Sequence, residues 1–291
     1  MTLINQHILM SDAENFSIDQ PINPYYQQES VDKAQACREH SAIKSLLIDA
    51  GVKITTVPSP TDSQDGVYTA NWALVRGDKA VLARLPNARQ NEEAYAEKIL
   101  TDLGKTVIHL PTGLKFSGQG DALACGNFLF CGSNYRSDPE AQQFAAETLG
   151  YERVQLQTIP LLDSDGNQII NYESGWADSY FYDLDLALAI IKAPSTDQRG
   201  LIAYCPEAFT PSSRALLASF DAVDKIEVSI NEAKKGFATN LVSTGDTVVM
   251  SAHTPELAAT LQQHGLRVLT PEITELAKGG GYIRCVTLTI D

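Results

Sequence analysis

The sequence predicts an α/β fold in which strand-strand-helix-strand modules recur about five times and close into a pseudo-symmetric ring. Three observations carry that expectation. Short apolar runs of strand length alternate with amphipathic helical stretches along the whole chain. The order repeats without residue-level repetition, whereas stacked solenoids show a recognisable repeat. No linker or low-complexity stretch interrupts the pattern, so residues 1–291 read as one domain.

Taken in order, the first unit has an apolar run near Met10, a helix over roughly 31–50, and an extended segment Lys53 to Val57 that leads to a Pro-rich turn. Strands near 67–76 and 80–84, a helix from about 91 to 103 and Val107 to Leu110 make the second. The third has strands at Asp121 and Phe128, a helix over 139–149, and Val154 to Ile159. After a polar loop at 163–168, the fourth takes strands near 169–172, 183–191 and 201–204, the helix 211–219, and Lys225 to Val228. The fifth has strands near 237–250, the helix 255–264, Arg267 to Leu269, and a closing strand at 283–290.

Composition removes several functional classes. The 291 residues are 44% hydrophobic and 20% charged, ordinary for a globular chain with a large core. With 36 acidic against 22 basic residues the formal charge is −14, and no window is rich in Lys or Arg. Phosphate backbones and anionic lipid surfaces would repel such a surface, whereas a small cationic substrate is compatible with it. No stretch approaches the ~18 apolar residues of a membrane span, and the first residues lack a basic segment and a cleavage site, which reads as cytoplasmic. Cys37, Cys125, Cys131, Cys205 and Cys285 are an odd set without paired C-x-x-C spacing, so neither a disulfide framework nor a zinc site is expected. No phosphate-binding or dinucleotide glycine loop is present, and no cofactor is expected.

The most specific local feature is Lys278-Gly279-Gly280-Gly281-Tyr282-Ile283-Arg284-Cys285, where three glycines allow close backbone approach and deliver a cysteine to the last strand. Alone it reads as a glycine-rich turn with a core cysteine. Four further segments put polar groups at loops or strand edges: Gln64-Asp65 to Asn71, Phe116-Ser117-Gly118-Gln119-Gly120-Asp121, Gly132-Ser133-Asn134-Tyr135-Arg136-Ser137, and Phe181-Tyr182-Asp183-Leu184-Asp185. Singly, their acids and the arginine read as turn caps or solvated edges.

Together, in order and approximate spacing, these segments resemble the guanidino-group-modifying (pentein) superfamily of dimethylarginine dimethylaminohydrolases, arginine deiminases and amidinotransferases. The resemblance begins at Met10 to Pro24, includes Arg84 and the stretch Glu232-Ala233 to Asn240, and ends at Cys285. It implies an α/β propeller of five modules and chemistry done by side chains alone. A cysteine thiolate attacks the guanidinium carbon, a histidine shuttles protons, and acids hold the planar cation. Carried over, Cys285 matches the nucleophile, and Asp65 and Asp185 match guanidinium-side acids. Arg136 and Arg84 match residues that grip a substrate carboxylate. Asn240 and Asp121 complete the substrate-binding set.

Two departures stand out. The family's His-x-Asp reads Asp183-Leu184-Asp185 here, and the family's acid after Phe116 is Ser117. Asp183 cannot be cationic as a histidinium would be, so Cys285 is expected to be less thiolate-like until a bound cation compensates. His7, His40, His109, His253 and His264 all lie away from the matched segments. The implied activity is a cysteine-dependent hydrolase or transferase on a guanidino or amidino C–N bond, with Asp183 and Ser117 as altered catalytic positions. The alternative is a ligand-binding or regulatory protein that has lost turnover. Family members include monomers and oligomers, which leaves a homodimer open.

Overall fold

A computed structural model describes residues 3–26, 30–132 and 134–291. Its strands form five three-stranded sheets. The modules start at Ala73, once the chain has entered the ring. In the first, β3 (Ala73–Arg76) and β4 (Lys79–Leu82) pair antiparallel, α2 (Asn91–Asp102) crosses over, and β5 (Thr106–Ile108) returns parallel to β4. The same path is followed by β6 (Ala122–Cys125), β7 (Phe128–Cys131), α3 (Pro139–Leu149) and β8 (Glu152–Gln155). It recurs in β9 (Leu188–Lys192), β10 (Gly200–Tyr204), α4 (Pro211–Ser219) and β11 (Val223–Glu227). The fourth repeat has β12 (Val242–Ser243), β13 (Thr247–Val249), α6 (Pro255–Gln263) and β14 (Arg267–Leu269).

The fifth module is split between the two ends of the chain. β15 (Leu288–Thr289) pairs antiparallel with β1 (His7–Ser11), and β1 pairs parallel with β2 (Lys53–Val57) after α1 (Lys33–Asp49). The strand-helix-strand unit at the start and the closing strand at the end are therefore one module. Its two halves meet through the amide of Ile290 on the carbonyl of His7 at 2.9 Å.

Local chemistry sets the helix limits. Pro139 and Pro211 occupy first turns, where a missing N–H costs nothing, and α3 ends at Gly150 in the left-handed region (φ 71°). Both helices fall on the expected bounds. The side chain of Asp32 caps α1 by accepting the amide of Gln35. One short helix escaped the periodicity: α5 (Ile230–Gly236), capped by the Ser229 hydroxyl on the amide of Glu232. The strands expected near 237–250 accordingly begin later and are short.

The remaining differences follow one rule. The segments expected as strand starts at 67–72 and 183–187, and the first half of the closing strand at 283–290, are tight turns, with one-turn 3-10 helices at Thr69–Trp72 and Leu184–Leu186. A matching turn, Gly118–Gly120, precedes β6. Their apolar residues are buried, which is why they read as strand, yet the centre of the ring needs a reversal there. The expected strand at 169–172 is no strand; it has a single bridge, Ile170 to Ala177, and both Ile170 and Tyr172 are exposed.

The glycine-rich segment is held from α1. The buried Glu39 carboxylate accepts the amides of Thr274, Glu275 and Leu276 at 2.9–3.1 Å, just before the three glycines. Charge-assisted bonds to backbone donors are worth roughly 1.5–3 kcal/mol each, and their loss leaves donors unsatisfied. Glu39→Ala should therefore cost about 3 kcal/mol or more, read as a fall in the denaturant midpoint, with Glu39→Gln losing roughly half as much.

Candidate active site

Each module contributes the turn that precedes its first strand, and the five turns bond to one another around the ring axis. Asn71 Nδ2 donates to the Ser117 hydroxyl at 2.9 Å and to its carbonyl at 3.1 Å. Asp121 Oδ1 accepts the amide of Leu184 at 3.1 Å. Asp185 is held by both Cys285 and Asn240. Asn240 Oδ1 accepts the amide of Cys285 at 3.1 Å, and the Cys285 carbonyl accepts the amide of Ala70 at 3.0 Å, which returns to the first turn. Residues scattered from 70 to 285 thus share one centre.

The thiol of Cys285 is 2% exposed. It donates to Asp185 Oδ2 at 3.4 Å and accepts from Asn240 Nδ2 at 3.1 Å. Asp183 stands on the same turn as Asp185, its Oδ2 bonded by Asn71 Nδ2 at 2.8 Å. Backbone approach is close: a Cβ on Gly120 would lie 2.7 Å from Asp183 Oδ2, and one on Gly281 would meet the Tyr68 ring and Cys285 Cβ. Only glycine fits either position.

Electrostatics define the site. Asp121, Asp183 and Asp185 are fully buried, and each keeps one carboxyl oxygen without a hydrogen-bond partner. Burial pushes all three pKa values above the ordinary carboxylate range. The charge of Asp183 adds to the rise in Asp121 and Asp185, while Arg136 opposes it in Asp183. Burial and then Asp185 raise the Cys285 thiol well above an ordinary cysteine. Burial thus disfavours both the thiolate and the carboxylate forms in the free site. A planar cation that donates to these carboxyls would relieve that burial cost.

The other expected residues divide. Asp65 is buried, with Tyr26 Oη donating at 2.6 Å and Gln64 Nε2 at 3.0 Å, and its pKa is raised by burial against the pull of Arg89. Arg136 is buried, stacks 4.2 Å over the Tyr182 ring and donates to the carbonyl of Ile22. Ser133, of the same motif, lies outside the described residues. The guanidinium of Arg84 is paired with Glu93 at 2.7 Å, and its side chain is 39% exposed. What Arg84 gives the site is backbone, through its bridge to Phe116 beside Ser117.

A further arginine buried beside the site is Arg89, missed in the sequence because it stands just before α2 and reads as a helix-start residue. Its guanidinium donates to Asn71 Oδ1 at 2.7 Å, to the carbonyls of Asp65 and Tyr68, and to both oxygens of Glu92. It fixes the orientation of Asn71. His253, the histidine that follows the strand around Val248 to Met250, is half-exposed and faces Glu272.

A model of the family described as N,N dimethylarginine dimethylhydrolase, eukaryotic, matches residues 7–291. The chain belongs to this family. It is 30% identical over 97% of its length to the bifunctional arginine dihydrolase/ornithine cyclodeaminase AgrE of Nostoc sp., and spans 37% of that relative's length. The N(G),N(G)-dimethylarginine dimethylaminohydrolase of Mycobacterium tuberculosis is 29% identical over 97% of this chain and 84% of that one. Among solved structures, the substrate-bound N-terminal domain of ArgZ, an arginine dihydrolase from cyanobacteria, is 28% identical with a TM-score of 0.84, covering 98% of this chain and 97% of that chain. The dimethylarginine dimethylaminohydrolase of Pseudomonas aeruginosa, at 18% identity and a TM-score of 0.76, shares the fold.

The raised carboxyl pKa values fix a pH dependence. A carboxyl with a higher pKa in the folded than in the unfolded chain stabilises the fold below about pH 4 and loses that contribution as pH rises through the folded value. The unliganded protein should melt lower at pH 8 than at pH 5, and Asp183→Asn should raise the melting temperature at pH 8 while flattening the dependence. Calorimetric melts at the two pH values check both.

Proposed function

We propose that this chain is a cysteine-dependent hydrolase of a guanidino or amidino C–N bond in an arginine-like substrate. The observation that carries the reading is the Cys285 thiol, bonded to Asp185 and Asn240, with the unpartnered buried Oδ1 of Asp183 on the same turn as Asp185. That oxygen and Asp185 Oδ2 can accept N–H groups of a guanidinium, whose positive charge lowers the thiol pKa on arrival. Arg136 lies near enough to Asp183 to influence its ionisation and is the candidate for the substrate carboxylate.

The chemistry then runs in two halves. The thiolate adds to the guanidinium carbon, and the bond to the leaving amine breaks as that nitrogen takes a proton from the protonated Asp183 carboxyl. The S–C amidino adduct is next attacked by water. The Asp183 carboxylate takes the water proton, and the collapse releases a ureido product and regenerates the thiol. Asp183 can serve both halves because burial keeps its pKa nearer to neutrality than that of a solvated aspartate. Ser117, bonded by Asn71, can donate or accept one hydrogen bond at the cation but carries no charge to neutralise it.

A second reading, ligand binding without turnover, is favoured by one observation. The hydrogen-bond partners of the Cys285 sulfur, Asp185 and Asn240, include no cation to stabilise the thiolate. A panel of guanidino compounds separates the two. Hydrolysis predicts slow release of amine or ammonia with a ureido product, an adduct mass on Cys285, and none of these in Cys285→Ala. Asp183→Asn should lower turnover by ~10²–10⁴-fold with a smaller effect on binding. Tight binding unaffected by Cys285→Ala, with no product and no adduct, would make it a binding protein.

A further inference from the structure

Behind Asp185, on the strand side of the turn ring, lies a cavity of about 30 Å3 lined by Leu123, Ala124, Asp185, Thr239, Leu241 and Arg284 among others. Two of the residues that line it, Asp185 and Thr239, each have a buried oxygen without a hydrogen-bond partner, Oδ1 and Oγ1. A polar cavity needs only about 10–15 Å3 of such volume to hold a water, so this one admits one or two. Ala124 is exposed and opens the cavity outward.

We propose that the proton of the Cys285 thiol leaves backwards, through Asp185 into water held in this cavity by Thr239, and not through the substrate side. Asp185 lies between the thiol and the cavity: Oδ2 takes the thiol bond at 3.4 Å, and Oδ1 has no hydrogen-bond partner among the described residues. The S–H bond breaks as an O–H bond forms at Oδ2. The O–H bond at Oδ1 breaks in turn, and its proton passes to the cavity water and to bulk solvent. Asp185 ends with one proton, as it began, and the thiolate is left facing the cation. The groups around Asp185 are Asp183 on its own turn, Asp121 on a neighbouring one, Cys285 and Arg284 on the last turn, and Tyr25 and Tyr182. Arg284 is fixed by Gln119 Oε1 at 2.9 Å and Thr289 Oγ1 at 3.2 Å. Its charge disfavours a proton resting in the cavity and so drives it outward.

Thr239 acts through water and is a positioning residue, whereas Asp185 touches the reacting sulfur. The inference rests on the thiol chemistry proposed above, and its test keeps the two apart. Alkylation of Cys285 by chloroacetamidine, a cationic electrophile, is followed by mass spectrometry from about pH 6 to about pH 9. Thr239→Val, which removes the hydroxyl, and Ala124→Trp, which plugs the mouth from outside the core, should each slow labelling near neutrality by about tenfold and move its pH profile upward. Thr239→Ser should restore it. Wild-type rates in both Thr239→Val and Ala124→Trp at every pH, with Cys285 still labelled in the parent, would overturn the proton route alone. A parent protein left unlabelled at Cys285 would overturn the thiol chemistry and the route with it.

Discussion

Carboxyl groups buried with unpartnered oxygens are the constraint around which this molecule is arranged. Asp121, Asp183 and Asp185 are carried into the ring axis with oxygens left unpartnered, and the thiol of Cys285 is placed against one of them. In a low-dielectric interior such groups hold protons that they would shed in water, and the cost is recovered when a cation arrives. Burial favours the protonated forms in the free site, and a ligand's positive charge opposes that.

The rest of the fold makes that arrangement rigid. Turn bonds to turn around the axis, so no site residue can move without disturbing its neighbour. Arg89 and Glu92, both fully buried and paired at 2.7 Å, form a strut that orients Asn71, which in turn fixes Ser117 and Asp183. Glu92 is anchored by Ser63 and Trp72. Glu39 secures the approach to the glycine run, and the pairing of β15 with β1 seals the ring through the two ends of the chain. Preorganisation of this kind keeps reacting groups in place at no further cost when substrate binds.

The modular order was legible because helix and strand periods alternate in the sequence, and Pro139, Pro211 and Gly150 mark helix limits by their own backbone chemistry. The turns were not. Residues such as Val67, Ala70 and Trp72 are apolar because they are buried, and burial looks the same in a turn as in a strand. The residues of the site could be chosen only through their resemblance to a known pattern, and that pattern put Cys285, Asp183, Asp185, Asn240 and Ser117 in one neighbourhood, which the turn contacts reproduce. It could not distinguish Arg84 from Arg89, since the distinction lies in which guanidinium finds Glu93 at the surface and which finds Glu92 in the interior. Nor does the sequence reveal the cavity behind Asp185, whose walls come from turns and strands far apart in the chain.

The central claim is that a cation ionises this site as it binds, and proton uptake or release measures that directly. Calorimetric titration of arginine or a methylated arginine at neutral pH, repeated in buffers of different ionisation enthalpy, gives the number of protons exchanged. The account predicts net release of protons to the buffer on binding, reduced in Cys285→Ala. Binding with no proton exchange, or with uptake, would contradict it.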